Sequence, residues 1–197
     1  MIPAKKNKFI GSLFAFYHKR LLKKHFYAVH LAGKEDISAI DGSLPVIMYA
    51  NHSNWWDGFI AYYLTNRFMK KDDYLMMDIK QMEKYFFFKY IGVFSVNREV
   101  PAEAVRSINY ASELLKDSKK YLWIFPQGDM VPQENRPLKF FSGITRLAEK
   151  TGNVNIVPVC FRYEYLMEQR PEVFISIGEP ELFTGKSEND YTEHLRI

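Results

Sequence analysis

The sequence has a single cysteine, no apolar run long enough to span a membrane, and no acidic residue before position 35. One cysteine, Cys160, excludes an internal disulfide framework and is typical of a reducing compartment. No repeat, low-complexity tract or flexible linker interrupts residues 40–180, so we place no domain boundary there. At 197 residues, 47% of them hydrophobic and 25% charged, the chain is long enough to bury a core and has the composition of an ordered globular protein.

The missing acidic residues make the first 34 residues strongly basic, with eight lysines and arginines, whereas the remaining 163 residues carry 19 basic and 23 acidic side chains. A signal peptide would need small residues after the apolar run, but His18-Lys19-Arg20 follows it. A spanning helix would need about 20 apolar residues, and Phe9–Tyr17 supplies fewer than half of them. Two hypotheses remain: a basic amphipathic helix on an anionic membrane surface, or a helix that packs its aromatic residues on its own domain. We expect no nucleic-acid partner, because the basic residues continue into no known binding motif.

Short apolar runs bounded by glycine, proline, aspartate or asparagine predict strands at Val46–Tyr49, Tyr74–Met77, Val93–Val96, Tyr121–Phe125, Asn155–Cys160 and Val173–Ile177. Segments of helix length lie between most of them, at Gly58–Met69, Lys80–Tyr90, Pro101–Lys116 and Ser142–Lys150. This alternation predicts a single-domain α/β fold, a mostly parallel sheet with flanking helices, preceded by the N-terminal amphipathic helical segment. In such sheets, binding sites gather in the loops beyond the strand ends.

The loop after the first predicted strand reads Asn51-His52-Ser53-Asn54-Trp55-Trp56-Asp57. Residues five apart on a regular helix do not face each other, so His52 and Asp57 can meet only if His52 lies in the turn and Asp57 in the first helical turn. One interpretation is structural, with Asn54 as helix cap and Asp57 completing a capping box. The other is chemical, because a histidine whose ring is held by a carboxylate suits a general base. We expect no metal here, since no second histidine or cysteine lies nearby.

The loop after the strand at Val93–Val96 contains Arg98. Its guanidinium presents a fork of donors that matches phosphate oxygens. The plainer interpretation is an arginine in solvent at a strand end, paired with Glu99.

Two further stretches stand out in the later strands. The strand ending at Phe125 runs into Pro126-Gln127-Gly128, a tight turn whose backbone can approach a ligand, and Arg136 follows it. Val157-Pro158-Val159 places a proline inside a predicted strand, which restricts that position to an edge, an end or a bulge. Cys160, in the same strand, is expected to be a core residue and not a nucleophile.

In their order and spacing, these four blocks resemble those of the glycerophosphate and lysophospholipid acyltransferase family. The family's Asn-His-x4-Asp is matched by Asn51, His52 and Asp57, and its glycine-containing strand that ends in arginine by Gly92 to Arg98. Its Phe-Pro-Glu-Gly appears as Phe125-Pro126-Gln127-Gly128, and its Val-Pro-Val strand as Val157-Pro158-Val159. The resemblance covers about residues 40–180.

The resemblance implies transfer of a fatty acyl group from an acyl-CoA or acyl-ACP thioester to a hydroxyl of a lipid acceptor, lysophosphatidic acid or another lysophospholipid or glycolipid. No cofactor is expected beyond this co-substrate. His52 would be the general base and Asp57 would orient its ring, while backbone amides in the Gly128 turn would bind the oxyanion. Substrate binding would fall to Asn51, Arg98, Phe125, Pro126, Gln127, Gly128 and Arg136, with the two arginines on phosphate.

The basic, aromatic composition of the N-terminal residues divides the chain into residues 1–34, a membrane-association segment, and residues 35–197, the acyltransferase domain. With the membrane hypothesis for that segment, we expect a peripheral protein on the cytoplasmic face of an anionic membrane. Gln127 departs from the family's glutamate, which puts the usual glycerophosphate acceptor in doubt and leaves a second hypothesis, a lipid-binding protein of weak turnover. A helix is also expected to start near Ser187 and to be cut by the chain end at Ile197, so the sequence can be part of a longer one.

Overall fold

The computed structural model describes residues 1–33, 37, 40 and 42–183. The helices are α1 (Lys8–His25), α2 (Asp57–Leu64, continued by a π-helical turn at Thr65–Met69), α3 (Ile79–Lys84, followed by a 3-10 helix at Phe86–Ile91), α4 (Pro101–Leu114) and α5 (Gly143–Thr151). The strands are β1 (Val29–Ala32), β2 (Val46–Ala50), β3 (Asp72–Asp78), β4 (Val93–Val96), β5 (Lys120–Ile124), β6 (Asn155–Glu164), β7 (Glu172–Ile177) and β8 (Glu181–Leu182). The helix expected near Ser187 lies outside the described residues.

The strands form one sheet in the order β1-β7-β6-β2-β5-β3-β4, with β8 paired to the start of β6. Strands β6, β2, β5, β3 and β4 run parallel to one another, whereas β7 and β8 run antiparallel to β6. The carboxyl ends of the five parallel strands therefore meet at one edge of the sheet. The predicted α/β fold with a mostly parallel sheet is confirmed.

Both faces of the sheet are covered, which explains why the central strand β2 is apolar and buried at every position. Along β2, Val46, Met48 and Ala50 join a core cluster with the α2 residues Ile60, Ala61 and Leu64. The alternate residues Ile47 and Tyr49 join a cluster on the other face, which includes residues of α4 and α5. Because successive side chains of a strand point to opposite faces, this division places α2 on one side of the sheet and α4 and α5 on the other.

Helix α1 packs on the α2 side through a stripe of three buried side chains, Phe14, His18 and Leu22. A second stripe of large apolar side chains faces outward, and Phe9 is 80% exposed. Residues before the helix are fastened to the sheet, since Ser95 donates its backbone N–H to the carbonyl of Ile2 at 2.9 Å. One stripe of α1 therefore packs on the domain, as one of the two hypotheses expects, while contact of the outward stripe with a membrane stays a prediction.

The N-terminal segment, residues 1–34, contributes a strand to the sheet. Strand β1 belongs to the predicted membrane-association segment, yet it pairs with β7 from Val29 opposite Val173 to Ala32 opposite Ser176. Residues 1–33 are thus packed into the same body as the sheet. Strand β1 escaped prediction because it is a four-residue strand with alternating burial and no apolar run.

Pro158 lies in the interior of the sheet, not at an edge. On one side β6 pairs with β2 through Pro158 opposite Tyr49. On the other side β8 pairs with Asn155 and Ile156, and the pairing of β6 with β7 begins at Val159. The proline therefore falls at the junction between two partner strands, where a missing N–H interrupts neither ladder.

Candidate active site

The loops at the carboxyl edge of the sheet bring His52 and Asp57 together. His52 lies two residues beyond β2, and Asp57 is the first residue of α2. The Nδ1 atom of His52 is 2.7 Å from Oδ2 of Asp57. Trp56, not Asn54, is the N-cap of the helix, and it makes no side-chain capping bond. The predicted juxtaposition, with the histidine in the turn and the aspartate in the first helical turn, is therefore present.

Asp57 is completely buried and receives four hydrogen bonds. Besides His52, its Oδ2 accepts the backbone N–H groups of Ser53 at 2.8 Å and Asn54 at 2.9 Å. Its Oδ1 accepts the hydroxyl of Tyr163 at 2.6 Å. Four donors around one carboxyl group are the pattern of an ionised carboxylate, which is an acceptor only. The Nδ1 atom of His52 is then the donor to Asp57, and Nε2 is the ring nitrogen left to meet a substrate.

Tyr163, on β6, is the residue of this cluster that sequence reasoning missed. Burial, and after it the Asp57 carboxylate, raise the pKa of Tyr163 well above its usual value. The phenol therefore stays protonated and can only donate toward Asp57. No sequence signal marks it, because it lies 106 positions from Asp57 in a strand that reads as ordinary.

The loop after β5 holds His52 in place from both sides of its backbone. The side-chain Oε1 of Gln127 accepts the N–H of His52 at 2.6 Å, and the N–H of Val131 donates to the His52 carbonyl at 2.8 Å. The ring of Phe125 stacks on the imidazole, with 4.6 Å between ring centroids. Gln127 and Phe125 thus contact the histidine itself.

Arg98 and Gly128 meet in the same region. The guanidinium of Arg98 donates from Nη2 to Oδ1 of Asp129 at 2.7 Å and lies over the ring of Phe141. Gly128 has a φ of +75°, and a Cβ at this position would lie 2.2 Å from Nη1 of Arg98. Glycine is therefore required both by the backbone and by the close approach of the arginine. The plainer interpretation of Arg98 had named Glu99 as its partner, but Glu99 pairs with Lys80.

The Gly128 amide does not serve as the expected oxyanion donor in this conformation. Its N–H donates to the carbonyl of Phe125 at 3.0 Å, which closes the turn. Pro126 is likewise engaged, because its carbonyl accepts the N–H of Phe141 at 2.8 Å.

Asn51 and Arg136 lie apart from the His52 side chain. The amide of Asn51 donates to the carbonyl of Phe161 at 2.9 Å and accepts the N–H of Phe161 at 2.8 Å, so it anchors β6. Arg136 is exposed and donates to the carbonyl groups of Gln133 and Asn135. Together with Gln133, Phe161 and Arg162, Asn51 and Arg136 line a small depression. The structure thus favours a supporting role for Asn51, while substrate contact by Arg136 stays a prediction.

Cys160 is a buried core residue, as expected. It is 6% exposed, and burial raises the pKa of its thiol to about 11. A thiol with so little thiolate is a poor nucleophile.

The acyltransferase family profile matches residues 28–162 of this chain. The chain belongs to the acyltransferase family. The resemblance drawn from the four sequence blocks is therefore confirmed, and the matched segment contains His52, Asp57 and every other candidate residue.

Two relatives are similar to this acyltransferase chain. It is 29% identical over 150 residues to the 1-acyl-sn-glycerol-3-phosphate acyltransferase of Saccharomyces cerevisiae, an alignment that covers 73% of this chain and 46% of that protein. The chain thus spans about half the length of that relative. The crystal structure of the 1-acyl-sn-glycerophosphate (LPA) acyltransferase from Thermotoga maritima superposes with a TM-score of 0.65 at 22% identity, covering 94% of this chain and 75% of that chain. This match shows the fold.

Throughout the described part of the chain, no helix combines the length and the apolar character needed to cross a bilayer.

Proposed function

We propose that this acyltransferase transfers a fatty acyl group from a thioester donor to a hydroxyl of a lipid acceptor, with His52 as general base and Asp57 as its orienting carboxylate. The observation that carries the proposal is the four-donor environment of the buried Asp57, which fixes the tautomer of His52. The imidazole is partly exposed, and within the described residues its Nε2 has no hydrogen-bond partner. That nitrogen is free to meet an acceptor hydroxyl.

The chemistry needs no enzyme nucleophile, because the thioester carbonyl is already activated. The acceptor O–H proton passes to Nε2 of His52 while the oxygen attacks the carbonyl carbon. The C–S bond then breaks, and the departing thiolate takes the proton back from the imidazolium, which Asp57 stabilises meanwhile. General-base help of this kind is worth roughly 10² to 10⁴ in rate.

The acceptor we propose is lysophosphatidic acid or a similar lysolipid, and the donor is an acyl-CoA or acyl-ACP thioester. The family membership and the two named relatives support an acyl transfer of this type. Arg98 is the candidate for the acceptor's phosphate. It contacts Gly128 and Asp129 in the loop after β5, and Gln127 of the same loop contacts His52. The present partner of Arg98, Asp129, is exposed and can be displaced by a phosphate group.

We also propose that the protein works as a peripheral enzyme on an anionic bilayer. The outward stripe of α1 supports this: Phe9, Leu13, Phe16 and Tyr17 are all more than half exposed. Lysines and arginines flank these side chains, and the combination is that of an interfacial helix.

Thiol release from a long-chain acyl thioester, with and without lysophosphatidic acid, tests the proposal. We expect His52→Ala to abolish release and Asp57→Asn to lower it by roughly 10² or more, with both variants folded by circular dichroism. His30→Ala and Asp117→Asn, at exposed positions away from the site, are the matched controls. Release that is absent in the unmodified protein with every lysolipid tried would favour the lipid-binding alternative. If Asp57→Asn kept full turnover and only melted at a lower temperature, Asp57 would have a structural role at the start of α2 and no role in the reaction.

A further inference from the structure

Seven of the eleven exposed large apolar side chains described beyond residue 33 lie at one edge of the sheet; the other four are Phe86 and Phe87 before β4, Val105 on α4 and Leu182 on β8. The connections that leave β2, β4, β5 and β6 at the carboxyl edge contain Trp55, Val100, Met130, Phe141, Tyr165, Leu166 and Met167, all exposed. The connections that enter β3, β5 and β6 at the opposite edge, residues 70–71, 115–119 and 152–154, contain no exposed large apolar side chain. The apolar edge is also the edge that bears His52 and Asp57.

The hairpin formed by β6 and β7 projects beyond this edge. Strand β2 ends at Ala50, opposite Val159. Strand β6 continues for five more residues, from Cys160 to Glu164, paired with β7 alone. Five residues of strand extend roughly 16 Å. Asn51 and Gln133 bond the backbone of Phe161 and Tyr163 along this stretch, so the turn after Glu164 lies beyond these loop contacts.

The turn of this hairpin, residues 165–171, begins with an apolar stretch and continues with the exposed Glu168, Gln169 and Arg170. Its first three residues are Tyr165, Leu166 and Met167, which are 73%, 57% and 100% exposed. A β-hairpin turn in water is normally built from glycine, asparagine, aspartate, proline and serine. Three consecutive exposed apolar residues in this turn therefore indicate a surface that water does not cover in the working state.

The base of the hairpin is tied to the end of α1. Arg170 donates to the carbonyl of Lys23 and stacks over Tyr27, whose N–H donates to the carbonyl of Pro171. The last turn of α1 carries Lys23 and Lys24. The apolar tip thus continues, through a basic junction, into the segment that we assign to the bilayer.

We propose that the tip, residues 165–167, inserts into an anionic bilayer as a second anchor and sets the carboxyl edge of the sheet against the lipid surface. This inference rests on the proposed peripheral function and adds to it the surface and the orientation. It also explains how a lipid acceptor reaches His52 directly from the membrane.

A bilayer is the occupant that the tip fits best. A stable interface with a second copy needs about 800 Å² on each partner, and a three-residue tip is far too small for that. Insertion into the interfacial zone needs only a few apolar side chains, with cations at the level of the head groups. Arg170 and Lys23 lie at the base of the hairpin, where such cations are needed.

An environment-sensitive fluorophore placed at Met167→Cys tests the insertion. The native Cys160 is buried and the unmodified chain serves as the labelling blank. With vesicles of phosphatidylglycerol and phosphatidylcholine, we expect a blue shift and protection from an aqueous quencher. The same fluorophore at Val105→Cys, an exposed apolar position on α4, should show neither. An unshifted label at residue 167 on vesicle-bound protein would overturn the proposal. A blue shift that appears without vesicles, when only the protein concentration is raised, would overturn it as well, because it would indicate contact with a second copy.

A pair of double variants tests whether the tip contributes to binding. Leu166→Ser combined with Met167→Ser should bind the same vesicles at least about tenfold more weakly, because apolar area is lost from the lipid. Val105→Ser combined with Leu182→Ser removes similar side chains elsewhere and should bind like the unmodified protein. Equal binding of the two double variants would overturn the proposal. Neither readout depends on turnover, and acyl transfer to a detergent-dispersed lysolipid, assayed separately, shows whether the proposed function itself holds.

Discussion

Asp57 combines two roles that the sequence presented as alternatives. Its Oδ2 accepts the backbone N–H groups of Ser53 and Asn54 in the turn that precedes helix α2, and the same oxygen accepts the Nδ1–H of His52. Starting helix α2 and holding the imidazole are therefore one arrangement. An asparagine at this position would turn an amide N–H toward groups that are themselves donors, so both roles would suffer together.

Tyr163 is expected to be a positioning residue for this pair. In Tyr163→Phe the ring remains but Oδ1 of Asp57 loses its donor, so the carboxylate can rotate away from His52. We expect kcat to fall roughly tenfold, the equivalent of 1.4 kcal/mol, with an unchanged KM, because the hydroxyl does not face the acceptor.

Steady-state kinetics with thermal unfolding check this expectation. A purely structural hydroxyl would lower the melting temperature and leave kcat intact. Tyr90→Phe, at a half-buried tyrosine before β4, is the control and should leave kcat as it is.

Gln127 is expected to tolerate glutamate better than an apolar residue. Its Oε1 accepts the N–H of His52, and a glutamate oxygen can do the same. Gln127→Leu removes the acceptor and should cost about 1–2 kcal/mol of unfolding free energy and a large part of the activity.

Denaturant unfolding and turnover, measured on Gln127→Glu and Gln127→Leu, separate these outcomes. Acceptor profiles that differ between Gln127→Glu and the unmodified protein would show that the side chain also reads the acceptor. Equal stability of all three proteins would mean that the hydrogen bond to His52 contributes nothing.

At the scale of elements, the sequence predicted the helices and strands that a local apolar pattern marks. It did not predict strand direction or the buried face of a helix, because these depend on contacts between distant residues. The six predicted strands and four predicted helical segments are present, but β6 runs four residues beyond its predicted end and the segment Lys80–Tyr90 divides into α3 and a 3-10 helix. The antiparallel return of β7 was not foreseen, because the run Val173–Ile177 reads the same in either direction. Helix α1 carries two apolar stripes, Phe14-His18-Leu22 and Phe9-Leu13-Phe16, and their pattern alone does not say which one is buried.

Helix α1 should respond to pH through His18. This histidine is 3% exposed and its ring nitrogen bonds the carbonyl of Phe59; burial lowers its pKa from 6.5 to about 4. Because the unfolded chain takes up the proton first, the stability contributed by the neutral ring is complete above pH 6.5 and is lost as pH falls toward 4. The loss is about 3 kcal/mol at most.

The measurement is the pH dependence of unfolding free energy for the unmodified protein and for His18→Gln, which keeps a donor for Phe59. The two proteins must be compared because Asp73 titrates in the same range. Burial raises the pKa of Asp73 to about 6, against an opposing effect of Lys6. Asp73 therefore stabilises the fold as pH falls, which masks part of the loss that His18 causes. We expect the variant to lose the decline that His18 causes. Parallel curves for the two proteins would contradict this.

At the scale of the whole molecule, the site exists only because the sheet brings distant loops to one edge. Asn51 and Phe161 are 110 positions apart and share two hydrogen bonds, and Gln127 reaches His52 across 75 positions. The sequence alone indicated that the loops after β2 and β5 carry the candidate site residues. It could not show that Gln127 and Phe125 hold the histidine, since that depends on β2 and β5 being neighbours.

The N-terminal segment should be required for the fold as well as for membrane binding. Phe14, Leu22 and Phe26 are 8%, 5% and 3% exposed, so deleting residues 1–26 would uncover the α2 side of the core. We expect that truncation to be unfolded or strongly destabilised, and it therefore cannot test membrane binding.

The test that spares the core is a change of charge on the outer face of α1. Lys19→Glu combined with Lys23→Glu alters only exposed side chains, and each cation near an anionic surface is worth about 1 kcal/mol. The variant should melt like the unmodified protein yet need far more phosphatidylglycerol vesicles to sediment at low salt. Lys116→Glu combined with Lys119→Glu makes the same net change at the opposite edge of the sheet and should sediment normally. If both variants lost binding alike, net charge alone would govern it; if neither did, the apolar tip and stripe would suffice without the cations of α1.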